Sequence, residues 1–320
     1  MMGRLLYSHV GNPTYGADAS RVTITPEEQQ QMVDGRRRIM TQSLANSQAT
    51  QRKYSGNFRR YTEWLDRAGV TIEPLLTGDD PRAEEGLLMD FVIYQSECRR
   101  LTHSTISGYL SAIRWVHLAN GHGDPLQAKP RPGLMRRAIK RISGPVKAKL
   151  PVTPDLLRLI GESLDLADPK SIVVWVGLVL AFFFLLRSSE YCEDPTKALR
   201  VGDVQFSWNG VSQTGGRGAD EVLICIKDSK TDQGGQGTLL RAYSTGDILC
   251  PVTVAAKVVE MRRSMGAADE EPLLVWSGNA ILKRAMVTDV LRWAATELGQ
   301  EEASYAPHSL RIGGASTMPA

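Results

Sequence analysis

Four basic side chains in the second half of the sequence are of types that do chemistry on anions. His308 and Arg311 stand three residues apart in "YAPHSLRIGGAST". That is one helical turn, so an imidazole and a planar guanidinium face the same point and can address one anion. Arg187 follows directly on the apolar run "IVVWVGLVLAFFFLL". A cation at the end of a buried helix needs a counter-charge, because burying it unpaired is expensive. Glu190, one turn on, is one candidate, and a ligand anion is the other. Lys230 sits in the Gly-rich turn "KDSKTDQGGQG", either as a solvated turn residue or as a general acid carried on a hairpin. Singly, none of these is specific: with 38 Lys+Arg in the chain, a His-x-x-Arg pair arises readily by coincidence.

The elements that must position these groups are legible from periodicity. Residues 1–45, rich in Gly, Asn, Pro and Gln with an Arg triplet (Arg36, Arg37, Arg38), read as a tail with at most one helix. Tyr54, Phe58, Tyr61 and Leu65 recur at helical spacing and Gly69 supplies a stop. A second helix is expected over 84–98. A third starts near Ser104, with Ile106, Tyr109, Leu110, Ile113 and Val116 on its apolar face. Its other face carries Ser107, Ser111 and Arg114, which are either simply solvated or in contact with phosphates and base edges. Thr153 caps a helix begun by Pro154, and the long apolar helix follows. The period then changes: "LRVGDVQFSW", "EVLICIK" and "GTLLRAY" read as three short strands, the last two joined across the turn holding Lys230. Helices resume over 252–265 and 287–298. The expected architecture is mainly α with a small antiparallel β-sheet, divided as tail 1–45, helical domain 46–148 ending in a basic linker, and a second domain 149–320.

Charge separates these regions. Residues 1–150 hold 22 Lys+Arg against 14 Asp+Glu, net +8, whereas the remainder holds 16 against 21, net −5. The stretch "RPGLMRRAIKRISGPVKAK" has seven basic residues and no acid, among them Arg136, Arg137, Lys140 and Arg141. It is either a solvated linker or a segment running along phosphates. Four Cys without Cys-x-x-Cys spacing suggest neither disulfides nor a zinc site. The first residues lack a signal-peptide core, so a reducing, intracellular setting is expected. The longest apolar run falls short of the roughly 20 residues that cross a bilayer. No Gly-x-x-x-x-Gly-Lys-Ser/Thr occurs, which disfavours a P-loop nucleotide site.

In order and setting, the four groups resemble the active-site pattern of the tyrosine recombinase (phage integrase) family: an Arg after a buried helix, a Lys in a β-turn, then His-x-x-Arg. "YSGNFRRYTEWL" and "HSTISGYLSAIRWVH" are similar to that family's helical, SAM-like core-binding domain, and "HSLRIGGAST" is especially similar to recombinases of DIRS-like and crypton-like eukaryotic mobile elements. The likeness covers roughly residues 45–320 and implies a core-binding domain followed by a recombinase catalytic domain. It implies that Arg187 and Arg311 clamp the non-bridging oxygens of a scissile DNA phosphate. Lys230 would protonate the leaving 5′ oxygen, His308 would assist proton transfer at the attacking tyrosine, and Glu190 would orient Arg187. Duplex DNA is the implied partner, with self-association on it. Neither a metal nor a nucleotide or other cofactor is implied, and the setting would be the nucleus if the host is eukaryotic.

The sequence departs from the family pattern at its end. In the family a second His or Trp and the nucleophilic Tyr follow the His-x-x-Arg, but only nine residues follow Arg311 and none is a Tyr. The expectation is therefore a C-terminally incomplete recombinase or, alternatively, a catalytically inactive recombinase-derived DNA-binding protein. A helical interaction scaffold would leave Arg187, Lys230 and Arg311 without a shared purpose. Type IB topoisomerases share the chemistry, but the helical front domain fits them less well.

Overall fold

Residues 25–43, 48–71, 73–145, 147–193, 197–227 and 237–317 are described by the computed structural model, which divides into two units, Met1–Val146 and Lys147–Ala320. Unit 1 is helical: α1 (Pro26–Ser43), α2 (Gln48–Arg67), α3 (Pro81–Ile93, continued by a π-helical turn Tyr94–Cys98), α4 (His103–Ala119) and α5 (Pro130–Ile142). Local signals set the boundaries. Asp80 caps α3 by accepting from the N–H groups of Arg82 and Ala83, with Pro81 at the first position, and Thr102 caps α4. Gly69 and Gly121, at φ 66 and 80, lie in the left-handed region that a chain leaving a helix commonly adopts.

α2 and α4 pack along each other, and α3 closes the core from the side. Tyr61, Phe91 and Trp64 form its aromatic centre, with the Tyr61–Phe91 and Trp64–Phe91 ring centroids each 5.2 Å apart. His117 is fully buried. Its Nε2 accepts from the Leu76 N–H (2.7 Å), so Nδ1 carries the proton and donates to the Ile113 carbonyl (2.6 Å). Burial pushes its pKa below the ordinary imidazole value.

The basic stretch read as a linker is a helix over most of its length. Pro132, Met135 and Ile139 recur at helical spacing and turn inward, so α5 packs on α3 and α4. The abundance of Arg and Lys between them obscured that ladder. Two further ties fix the entrance of α5: Lys129 to the buried Glu84 (2.6 Å), and Arg131 to Glu85 through both its backbone N–H (2.9 Å) and Nε (2.8 Å).

Unit 2 is built around α7 (Pro169–Phe183), whose residues Ile172–Phe182 are all buried. Around it lie α6 (Pro154–Ser163), the single turn α8 (Ser188–Tyr191), α9 (Pro251–Ser264), α10 (Arg284–Glu297) and α11 (Pro307–Thr317). The sheet has four antiparallel strands, not three, in the order β2-β1-β3-β4: β1 (Val204–Trp208), β2 (Val211–Gln213), β3 (Glu221–Ile226) and β4 (Thr238–Tyr243). Asn209 and Gly210, both at positive φ, make the tight β1–β2 turn that adds the unforeseen strand. A two-stranded ribbon, β5 (Val275–Ser277) with β6 (Ala280–Ile281), was likewise not foreseen. The architecture is thus mainly helical with a small antiparallel sheet. Among the described residues no helix is long and apolar enough to cross a membrane.

Candidate phosphate pocket and nucleic-acid interface

Arg187 owes its position to the way α7 stops. Leu185 takes a left-handed conformation (φ 52), the Leu186 N–H reaches back to the Ala181 carbonyl (3.1 Å), and the chain turns sharply into α8. Arg187 is the N-cap of that turn. Glu190, only 5% exposed, accepts the Arg187 backbone N–H at Oε2 (2.7 Å) and its guanidinium Nη1 at Oε1 (2.9 Å). The carboxylate therefore fixes both the main chain and the side chain of one arginine, whose guanidinium is about a third exposed.

α11 carries His308 in its first turn, exposed, and Arg311 one turn on, half-buried. Gly313 and Gly314 determine where this helix sits. A Cβ on Gly314 would lie inside the van der Waals shell of the Phe182 carbonyl oxygen, and one on Gly313 inside that of Val152. α11 thus docks backbone to backbone on the last turn of α7, the turn that leads into Arg187. Arg311 lies one helical turn before that contact.

Lys230 falls outside the described residues. The strands flanking it are paired from Glu221↔Tyr243 to Ile226↔Thr238, and at the root of the hairpin Lys227 binds the buried Asp203 (2.5 Å). No group of three or more potential metal-ligating side chains occurs among the described residues. Tyr305, upstream of the His-x-x-Arg, is 2% exposed and donates its hydroxyl to Gln300, while Tyr191 on α8 is fully buried.

In unit 1 the expected contact residues divide. Arg136 on α5 reaches Ser107 on α4 (Nη1 to Oγ, 3.3 Å), so those two form one surface. Ser111 instead donates to the Ser107 carbonyl (2.9 Å), and Arg114 is paired with Asp124 (2.7 Å), so neither is as free as the sequence suggested. Arg137, Lys140 and Arg141 are exposed on α5, with Arg137 bonded to the Gly133 carbonyl (3.5 Å).

The strongest basic feature of unit 1 lies outside the expected contact residues. An open cleft of about 720 Å³ lies between α2, the π-helical turn and the start of α4. Lys53, Arg60, Arg67 and Arg99 line it beside Ser104 and Thr105. None of these four cations has a carboxylate partner among the described residues, and Glu63 is the one acid in the lining. On α2 the residues at 53, 57, 60, 64 and 67 form a single stripe, a signal present in the sequence but overshadowed by the apolar ladder beside it. Uncompensated cations around a concave surface with hydroxyl donors are what a phosphate backbone requires.

No protein-family model matches the sequence, and no curated protein matches it. Among solved structures, the chain is similar to XerA recombinase (12% identity, TM-score 0.35, covering 90% of this chain and 80% of that one). It is also similar to lambda integrase, seen there as a dimer bound to a COC′ core site (15% identity, TM-score 0.46, covering 89% of this chain and 68% of that one). At such values both are loose likenesses of fold.

Proposed function

We propose that this chain binds duplex DNA and that unit 2 holds the phosphate pocket of a tyrosine-recombinase-type strand-transfer centre. The observation that carries the reading is the docking of α11, with His308 and Arg311, onto the last turn of α7, which precedes Arg187 in the chain by a few residues. Two guanidiniums on separate elements, one held by a buried carboxylate, suit the two non-bridging oxygens of a phosphodiester. Charge on those oxygens grows as the phosphorus becomes pentacoordinate, so fixed cations stabilise the transition state more than the ground state. Lys230 would give a proton to the leaving 5′ oxygen. His308, exposed at the start of α11, would relay the proton of an attacking hydroxyl. The cleft of Lys53, Arg60, Arg67 and Arg99 would hold the DNA by its backbone, with self-association on the duplex as in a recombining assembly. The wording of "HSLRIGGAST" favours a mobile-element origin of the DIRS-like or crypton-like kind, acting inside the cell and, in a eukaryote, in the nucleus.

A second reading, DNA binding without cleavage, is favoured by the burial of Tyr191 and Tyr305 in unit 2. A nicked suicide duplex separates the two. A recombinase traps itself covalently on such a substrate and yields a protein–DNA adduct in a denaturing gel, whereas a binding protein gives only the reversible complex. Absence of any DNA affinity would refute both.

A further inference from the structure

α8 is a single turn, too short to hold its own conformation, because a first helical turn fixes several residues for very few hydrogen bonds. Its supports are strained: the segment carrying Arg187 and Glu190 is bracketed by two non-glycine residues at positive φ, Leu185 (52°) and Glu193 (60°). Such residues persist only where their surroundings over-determine them. At Glu193 the surroundings are the entrance of α10. The Glu193 N–H donates to the Leu282 carbonyl (3.0 Å), and its carboxylate accepts the Arg284 backbone N–H (2.8 Å), capping α10. Arg284 then reaches back across the turn and donates from Nη2 to Ser188 Oγ (2.6 Å), on the residue next to Arg187. Both ends of α8 are thereby clasped by one residue pair on the surface of unit 2.

We infer that Glu193 and Arg284 are positioning residues that aim Arg187, and that the first turn of α10 sets the direction of its guanidinium through Ser188. This rests on the phosphate-pocket reading, since a direction matters only if Arg187 receives an anion. Exposed hydrogen bonds and ion pairs of this kind add little to global stability, so the clasp acts on geometry. Loss of Arg284 lets α8 rotate with Glu190 still bound to Arg187, and the pair then points as a unit away from the phosphate.

The test is a double-mutant cycle on duplex DNA affinity at low salt, using the whole chain and variants Arg187→Ala, Arg284→Ala and Ser188→Ala. Arg187→Ala is expected to weaken binding about tenfold, the worth of one charge-assisted contact. Arg284→Ala and Ser188→Ala should each weaken it several-fold in the parent chain and not at all once Arg187 is already Ala. Ser188→Ala leaves the charge of Arg284 in place, and it decides alone if Arg284→Ala does not fold. Melting temperatures close to the parent's exclude unfolding as the cause. Effects that persist undiminished in the Arg187→Ala background mark Arg284 as an independent DNA contact and overturn the inference, as does no effect at all. If Arg187→Ala itself leaves affinity unchanged, the phosphate-pocket reading fails first and the positioning role falls with it.

Discussion

Neutralising the unit 1 cleft should change how DNA binding depends on salt, by an amount that can be worked out. Each phosphate that a cation neutralises releases counterions and contributes a slope of about −0.9 in log K against log salt. Lys53, Arg60, Arg67 and Arg99 have no carboxylate partner among the described residues, so all four charges are available to phosphates. Four contacts give a slope of about −3.6, and raising salt from about 50 to about 200 mM then costs about 150-fold in affinity through the cleft alone. The fourfold Ala variant should bind more weakly at low salt and show a slope shallower by up to that amount. Fluorescence anisotropy of a labelled duplex, titrated at several salt concentrations, measures both. The four side chains are exposed or line an open surface, so circular dichroism should show the fold unchanged. The control is the same treatment of Arg136, Arg137, Lys140 and Arg141 on α5. A parental slope in the cleft variant, with the loss appearing only in the α5 variant, would place the DNA on α5 and refute the reasoning.

The remaining expectations concern unit 2 and the buried histidine. Gly314→Ala puts a methyl group against the Phe182 carbonyl, a backbone atom that cannot swing aside, so a loss of about 1–3 kcal/mol and a fall of several degrees in the melting temperature of unit 2 are expected; a variant as stable as the parent would show that α11 does not dock there. His117 is held neutral in the fold, with its pKa below the ordinary 6.5, so the unfolded chain takes up a proton that the native state refuses. Its contribution is complete above that value and is lost as pH falls through it, so unit 1 should melt progressively earlier from pH 7 to 5, and His117→Gln should flatten that dependence; equal pH profiles for the two proteins would reject the assignment. On a nicked suicide duplex the chain should be retained, and no covalent adduct through Tyr191 or Tyr305 is expected while both are buried. If an adduct does form, Tyr305→Phe is the first variant to assay, and loss of the adduct would identify the nucleophile.

Much of this protein is written in short-range signals. The cap Thr153, the first-turn Pro154 and the apolar ladder of α2 act within a turn or two of chain, so they read correctly without any partner. The same holds for the Arg187–Glu190 pair, which closes within one turn of α8. Other features depend on residues distant in sequence. α5 looked like a linker because its three inward residues matter only when α3 and α4 are there to receive them. The cleft draws Lys53 and Arg67 from α2 and Arg99 from beyond α3, and a potential that sums over space has no signature in a local window. Gly313 and Gly314 carry no local signal of their role, yet they let two backbones touch. The clasp of Arg284 on Ser188 joins residues that only the packing of α10 beside α8 brings within hydrogen-bond reach. Local sequence determined the amphipathic and apolar helices, the three longer strands β1, β3 and β4, and the carboxylate beside Arg187. Which charges share a surface, and toward what they point, was decided by tertiary packing, because charge–charge fields and backbone contacts act through space and not along the chain.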